Sequence, residues 1–427
     1  MAVPFPRALA GRLAGDMFSS LSVPDYRRIY FGNMAFQFNS WMQQLTFGWL
    51  LLTIGNSPFW LGMNGFVSGL AMIVMGPIGG AIADSWERRR AMLLTQMTAV
   101  GVNASVALLY WLGWLDIWHL LLAATAMSVS YTLNMPARQA LMGEIVPKPL
   151  LHNAVALHTA SMNLSRILGP SVAGVLLALI GPLWVMLVNL VANTWTVSQL
   201  LSVRHRPTRE PKPFRPHVAD LLQGFRFCWG TRPLFDAMAV IGLSNLFGLS
   251  FIQLLPSFAR DSLGTGPEGL GVLTASMGGG ALAGSLVLAR LRTIPHRGRV
   301  LRVAALLSGL LVLALGGTST VPSAAPVLAL VGASSSIVTA IGIQTVQQYV
   351  PDELSGRVFG VYMMTMALMP LGSLPAGALA DRIGTAPAIA IWGALGSVVI
   401  GALLVAQIAS ERRTEAPAPA PVPTPQP

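Results

Sequence analysis

Cysteine is almost absent from this chain: Cys228 is the one residue of its kind among 427. An intramolecular disulfide needs two, so none forms, and a cysteine-pair metal site is excluded with it. Charge is scarce as well. Only 10% of residues are Asp, Glu, Lys or Arg, against roughly 25% in soluble domains. Acids are the rarer sign, 16 against 27 basic residues, for a formal net charge of +11. The basic residues stand in short runs between apolar segments, which is not the layout of a nucleic-acid surface. The chain lacks a GxxxxGKS or GxxxxGKT loop, which argues against direct ATP coupling. Residues 1–26 lack a continuous apolar core and carry Arg7, Arg12 and Asp16, so they do not read as a secretory signal peptide. No apolar segment carries a zinc-binding histidine pair, an aspartyl pair or a serine–lysine couple at useful spacing, so an enzyme is not expected. Neither a cofactor nor a metal is implied.

What fills the chain instead is hydrocarbon: 53% of residues are hydrophobic and the mean hydropathy is +0.62. A membrane-crossing helix needs about 20 largely apolar residues. Segments of that kind fall at 28–53, 58–83, 90–113, 118–140, 152–179, 182–203, 233–258, 267–290, 300–318, 325–349, 356–380 and 385–408. Short breaks such as Gly55-Asn56-Ser57-Pro58, Gly181-Pro182 and Gly384-Thr385 make the flanking helices antiparallel neighbours. The fold class expected is an all-α membrane protein with twelve transmembrane helices in two six-helix, pseudo-symmetric bundles. With the N-terminus inside, the cytoplasmic loops and both tails collect 24 of the 27 basic residues. Arg260 and Arg382 fall outside, and Arg166 lies within a span. That asymmetry predicts both termini in the cytoplasm.

The chain divides accordingly. Residues 1–27 form a cytoplasmic segment, read as a short amphipathic helix on the membrane surface, and 28–203 the first six-helix half. A basic linker follows at 204–232, proline-broken at first and expected to be helical from His217 onward. The second half covers 233–409, and a Pro/Ala-rich tail at 410–427 has the composition of a disordered segment. A repeat ties the halves together. Glu144-Ile145-Val146-Pro147-Lys148-Pro149-Leu150 recurs as Gln348-Tyr349-Val350-Pro351-Asp352-Glu353-Leu354, and Gly169, Gly174 and Gly181 recur as Gly372, Gly377 and Gly384. Two halves in parallel repeat, joined by a cytoplasmic linker, are the layout of a rocking transporter.

The stretch Gly76 to Arg90 sets acid Asp84 and the basic run Arg88, Arg89, Arg90 between two apolar segments. Charges packed this tightly against hydrocarbon belong at a membrane surface. The run Gly80-Ala81-Ile82-Ala83-Asp84-Ser85-Trp86-Glu87-Arg88-Arg89 resembles the signature of the major facilitator superfamily between its second and third spans. It departs at Ser85, where an arginine is usual, and at Glu87, where a small residue is usual. Finer motifs run from Met135-Pro136-Ala137-Arg138-Gln139-Ala140 through Asn153-Ala154-Val155-Ala156-Leu157 to Asn163-Leu164-Ser165-Arg166-Ile167-Leu168-Gly169-Pro170. In the second half stand Gln344-Thr345-Val346-Gln347-Gln348 and Pro351-Asp352-Glu353-Leu354-Ser355-Gly356-Arg357-Val358. Together they resemble the enterobactin-exporter-like group, also called transmembrane secretion effectors, which neighbours the macrolide efflux proteins. The resemblance covers about residues 25–409.

It implies a central cavity lined by spans one, four, seven and ten. In span one, Asn33, Gln37, Ser40 and Gln44 recur at helical spacing as a polar stripe with Trp41 beside it. Amides in hydrocarbon need partners, so the stripe faces either a wet cavity or a neighbouring helix. Span four offers Ser128, Tyr131, Thr132 and Met135, span seven Asn245 and Gln253, span ten Ser335, Thr339 and Gln347. Tyr362 with Met363, Met364 and Met366 forms either an adaptable cavity wall or plain packing. Arg166 lies about 14 residues into span five, roughly 21 Å along the helix. A cation at that depth is costly; it either meets an anionic cargo or is held by carbonyls and asparagines such as Asn163. Gly80, Asp84, Arg88, Arg89, Arg138 and Arg357 form the gating signature, with Asp84 expected near the start of span eleven, at Ser355 and Gly356. A carboxylate is favourable there.

No carboxylate stands near the membrane midplane. Asp236, early in span seven, and His158 in span five are the titratable candidates for coupling; use of the proton gradient is implied by the resemblance. The function expected is a secondary active transporter, exporting an amphipathic small molecule, a siderophore or a drug, by alternating access. It would work as a monomer in the phospholipid bilayer of a bacterial inner (plasma) membrane, with no nucleic-acid partner. The alternatives are an importer of a small metabolite and, from a different class, a non-transporting sensor or an intramembrane enzyme. Polar residues converging on one cavity distinguish the first pair from the second.

Overall fold

The computed structural model describes residues 18–85, 87–203, 218–290, 297–351 and 354–414. Side chains are described throughout these ranges except at 77–85, 140, 218–221, 355, 356, 359 and 407–414. Among the described residues every regular element is helical. A 3-10 turn at Ser19–Ser22 leads into α1, Pro24–Gly55. Then follow α2, Pro58–Ser85, α3, Arg88–Trp111, α4, Ile117–Ile145, and α5, Lys148–Leu201. A linker helix α6, Val218–Gly230, precedes α7, which starts as Arg232–Leu243 and continues to Ser262. The last five are α8, Pro267–Arg290, α9, Arg297–Leu315, α10, Val321–Tyr349, α11, Ser355–Ile383, and α12, Thr385–Thr414.

Local chemistry sets the boundaries. Proline opens α1 at a position where a missing N–H costs nothing, and Asn56, at φ 45°, closes it in the left-handed region. Asp116 and His119 form a capping box at the start of α4, as Thr320 and Ser323 do for α10. Gly181, at φ 79°, breaks α5 into two antiparallel arms, and Gly384, at φ 90°, makes the matching turn between α11 and α12. Only glycine adopts such angles without strain.

Nine described helical stretches are long and apolar enough to cross a membrane. α1 and α4 are not among them, because α1 carries Asn33, Gln37, Asn39, Gln43 and Gln44, and α4 carries His119, Tyr131 and Asn134 before it ends in Arg138, Gln139 and Glu144. The apolar segment expected at 118–140 stops short of Ile145 for the same reason. α12 is helical through Thr414, into the segment expected as tail; residues 415–427, 1–17 and 204–217 lie outside the described residues. The helix expected from His217 is α6. Large apolar side chains such as Leu122, Leu179, Val191 and Val398 face outward, the surface of a protein solvated by lipid. Trp111, Trp114, Trp118 and Trp184 stand exposed around the turns at one end, where aromatic belts sit. The opposite end carries Arg28, Arg88, Arg89, Lys148, Arg297 and Arg357 and is called the basic face below.

α1 to α5 pack as one half and α7 to α12 as the other, bridged by α2 on α11 and by α5 on α8. The repeated glycines explain the plan. A Cβ added at Gly169 would lie 2.8 Å from Trp41 Cβ of α1, and one at Gly372 would lie 2.5 Å from Leu246 O of α7. These two close the equivalent contacts within each half. A Cβ at Gly174 would lie 3.0 Å from Gly271 Cα of α8, and one at Gly377 2.9 Å from Gly62 Cα of α2. These two close the equivalent contacts between halves. Gly181 and Gly384 make the equivalent turns. Near the tryptophan end Ser57 Oγ donates to Asp381 Oδ1 at 2.5 Å and Arg260 Nη1 donates to Leu52 O at 3.2 Å. α4 and α10 share no comparable packing among the described residues.

Candidate functional site

The polar stripe of α1 does not act as one surface. Asn33 is buried and its Nδ2 donates to His158 Nδ1 of α5 at 2.9 Å. Gln37 is buried, Ser40 turns back to donate to Phe36 O, and Gln44 is exposed. Asn39 and Gln43, which the stripe left out, are buried on another face of the same helix. Helix pairing and cavity lining thus share α1 between them, residue by residue.

Trp41 and Arg166 form the sharpest pair. The guanidinium carbon stands 5.9 Å from the centroid of the Trp41 ring, within cation–π range. Gly169 creates the contact by letting α5 close on α1 at Trp41. The second half comes in at the same level: a Cβ at Gly278 of α8 would sit 3.3 Å from Arg166 O. Arg166 therefore lies where α1, α5 and α8 meet, on the seam between halves. Among the described residues it forms no ion pair; the indole holds it, and Asn163 does not.

A second cation, this one buried, sits closer to the basic face. Arg138 of α4 is 7% exposed and lies 4.6 Å over the Phe36 ring. Its Nη2 donates to Asn134 Oδ1, and Asn134 Nδ2 donates to Thr95 Oγ1 of α3 at 2.6 Å. It too forms no ion pair among the described residues. Two small cavities adjoin it. One is lined by Arg28, Asn33, Gln96, Arg138 and Gln199, the other by Tyr30, Asn33, Arg138, Gln139 and His158. Ser128, Tyr131 and Thr132 line α4 half-buried, further from the basic face.

In the second half Ser244, Asn245, Ser308, Ser335 and Thr339 line one small cavity between α7, α9 and α10. Asn245 Nδ2 is committed, donating to Thr365 O of α11 at 3.0 Å. It sits in a π-helical turn, Ser244–Leu249, followed by a 3-10 turn, Ser250–Leu254, and a second π turn, Phe258–Ser262. Such turns free backbone carbonyls; Trp392 Nε1 takes that of Leu246 at 3.0 Å. This irregular span left no mark that apolar counting could detect. Gln253 belongs to the junction between halves, where its Cγ would stand 3.1 Å from a Cβ on Gly65 of α2. Gln347, exposed in the last turn of α10, and Asp236, half-buried in the first turn of α7, line none of these three cavities. Tyr362, 2% exposed, packs with Met363 and Met366 in the core of the second half, so these residues pack rather than line a wall.

At the basic face Arg88 pairs with Glu144 of α4, an ion pair the sequence reading did not foresee. Arg89 Nη2 donates to Leu201 O at 2.7 Å and its Nε to Leu200 O at 3.1 Å, capping the carbonyls at the end of α5 as a cation favours. Arg357 Nη1 donates to Gln223 Oε1 at 2.7 Å and holds α6 against α11. The expected meeting of Asp84 with Ser355 and Gly356 lies outside the described side chains, as does Gly80.

The comparisons with known proteins agree with this frame. The family model described as transmembrane secretion effector matches residues 16–425. The chain belongs to that family. It is therefore a transporter of the major facilitator type and not an enzyme. It is 28% identical to the enterobactin exporter EntS of Shigella boydii over 375 residues, 84% of this chain and 85% of that one. The staphyloferrin A transporter of Staphylococcus aureus is 23% identical over 83% of this chain and 89% of that protein. The multidrug efflux pump Tap of Mycolicibacterium fortuitum is 24% identical over 80% and 85%. Among solved structures a POT peptide transporter superposes with a TM-score of 0.71 at 12% identity, over 91% of this chain and 95% of that one. The human organic anion transporter MFSD10 gives 0.62 at 18%, over 89% and 99%. At those identities the likeness shows the fold.

Proposed function

We propose that this family member is a secondary active exporter, carrying an amphipathic, anionic small molecule of the siderophore or drug type out of the cytoplasm. The carrying observation is Arg166, a cation at the meeting of α1, α5 and α8 that faces an indole and, among the described residues, no acid. A half-buried cation at membrane depth without a counter-charge is costly, and an anionic cargo supplies the charge while Trp41 offers an aromatic face. Siderophore and drug exporters among the relatives support the same cargo class.

α1 and α4 complete the spans, and Gly181 divides α5 into two, which makes twelve; the basic face then lies in the cytoplasm of a bacterial inner membrane with both termini. The contacts between halves near the tryptophan end, with α4 and α10 apart, fit a conformation closed to the outside and open to the cytoplasm. Alternating access exchanges these contacts. The proton gradient drives the exchange, with His158 and Asp236 as the titratable groups available, and one chain suffices. The test is efflux from cells lacking their own major exporters, using a catecholate siderophore, a macrolide and a cationic dye, each with and without a protonophore. The reading expects the anionic compound to leave faster only with this protein, and the protonophore to abolish the gain. Faster accumulation in place of efflux would make the protein an importer.

A further inference from the structure

The first half contains polar atoms that the fold leaves unmatched. Among the described residues of the first half ten buried side-chain atoms have no hydrogen-bond partner, most of them on three helices that face one another. On α1, Gly32, Asn39 and Gln43 share a face, being two and three turns apart at about 3.6 residues per turn. Asn189, Asn193 and Thr196 share a face of the second arm of α5 in the same way. Thr196 Oγ1 donates to Gly32 O at 3.2 Å, which sets these two faces together. α3 adds Gln96 and Asn103, and Asn103 Nδ2 donates to Gln43 Oε1 at 3.4 Å. The seam is enclosed: Asn103 and Asn193 have no exposed surface and Asn189 is 1% exposed.

Buried amides cost free energy unless they are partnered. The unmatched atoms are of both kinds. Gln43 Nε2, Arg138 Nε and the Nδ2 of Asn189 and Asn193 are donors; Asn33, Asn39, Gln96, Asn103, Asn189 and Asn193 each leave a carbonyl oxygen open. A bound cation satisfies only acceptors and a bound anion only donors. Water satisfies both. One of the two cavities beside Arg138 is lined both by Gly32, Gln96 and Thr196 of the seam and by Arg28 of the basic face, and the apolar cluster of Phe47, Leu50, Val106 and Met186 lies toward the other end.

We propose that the first half holds a file of bound water, entered from the basic face and ending blind beneath that cluster. It runs roughly 16 Å, from the level of Gly32 to that of Gln43 at 1.5 Å per residue. Ten open atoms at about three hydrogen bonds per water call for about three or four waters. The file solvates the Arg138 guanidinium and the Asn33–His158 pair, which keeps a buried cation charged with no acid beside it. Its blind end lets water in without letting it cross. This inference does not depend on what the protein exports.

The test is hydroxyl-radical footprinting of the full chain in lipid nanodiscs, in which radicals form at bound water as well as in bulk. Met92 lines one of the cavities and is 5% exposed, while Met186 lies beyond the seam at 0%. A water file oxidises Met92 several-fold faster than Met186, and Asn193→Leu reduces that labelling without raising the melting temperature. Equal, minimal labelling of both methionines would overturn the proposal. So would a higher melting temperature for Asn193→Leu, because removing an unmatched amide stabilises only a dry seam. Stabilisation by chloride that is lost in Arg138→Gln would put an anion in place of water and overturn it as well.

Discussion

Replacing Gly62 by alanine is expected to shift the conformational balance of this transporter rather than merely weaken it. Gly62 faces Ser373 and Gly377 where α2 crosses α11, one of the two bridges between halves. A Cβ there would stand 2.5 Å from Ser373 O, 3.0 Å from Gly377 Cα and 3.2 Å from Leu374 Cα. All three are backbone atoms, and Ser373 is fully buried with its Oγ donating to Gly62 O at 2.9 Å. Relief therefore requires the helices to separate by roughly 1 Å, and a gap of that size forfeits a quarter to a half of each dispersion contact along the crossing. Overpacking of this kind costs about 1–3 kcal/mol, and about 2 kcal/mol moves a two-state equilibrium about 30-fold. The cost falls on the state in which the halves meet near the tryptophan end. Spin labels at Leu112→Cys and Ser319→Cys, in a Cys228→Ala background, report the separation of the halves at that end. Gly62→Ala should lengthen the mean distance between them. Gly76→Ala, on the same helix with nothing within 4 Å of its Cβ, should not. A folded Gly62→Ala protein with an unchanged distance distribution would refute the reasoning, because the α2–α11 contact would then not distinguish the states.

Arg166→Gln should raise the KM for an anionic cargo about 30-fold, the loss of roughly 2 kcal/mol from a hydrogen bond between the guanidinium and the cargo's acid, while a neutral drug is unaffected; transport assays on both compounds check it. Glu144→Gln should lower stability by about 1–2 kcal/mol, between exposed and buried ion pairs, since Arg88 and Glu144 are each 17% exposed; a double-mutant cycle with Arg88→Gln measures the coupling. Burial pushes the Cys228 thiol up, so maleimide should label native protein more slowly than detergent-unfolded protein at pH 8, with the native rate rising only at higher pH. Ser319→Cys should react with an impermeant maleimide in intact cells and Lys148→Cys only after lysis; the opposite pattern would invert the proposed topology.

The sequence carried the frame of this protein further than its site. Helix existence follows from apolar length, and the repeated glycines fix the plan because each removes a Cβ that would collide: Gly169 with Trp41, Gly174 with Gly271, Gly377 with Gly62. Their spacing was visible; their partners were not, since a small residue announces close approach without saying to what. Span-one amides were legible as a stripe, yet three-dimensional packing divided them, giving Asn33 to His158 and Gln43 to Asn103. Asn189 and Asn193 passed unnoticed, because two amides in a strongly apolar run barely change its mean hydropathy. The π turns of α7 were hidden for another reason. They depend on Trp392 and Thr365 answering Leu246 and Asn245 from α12 and α11, contacts that no local pattern encodes.

The two halves share a frame but not its contents, and that difference bears on mechanism. At the offset of the upstream repeat Arg138 corresponds to Gly342, where an added Cβ would press on Ile241; at the downstream offset Arg166 corresponds to Met369. Neither cation therefore has a counterpart at the equivalent place in the second half, which is apolar or filled; the second half buries its own cation, Arg302, elsewhere, on α9. The second half answers instead with hydroxyls around Ser335 and Thr339 and with an irregular α7. A cargo with an acidic group and an apolar body is matched by that asymmetry. Its charge would stay with the first half throughout a cycle, while the second half rocks across its apolar surface. The symmetric glycine contacts would supply two closed states of similar energy, and the asymmetric lining would decide which end of the cargo each half holds.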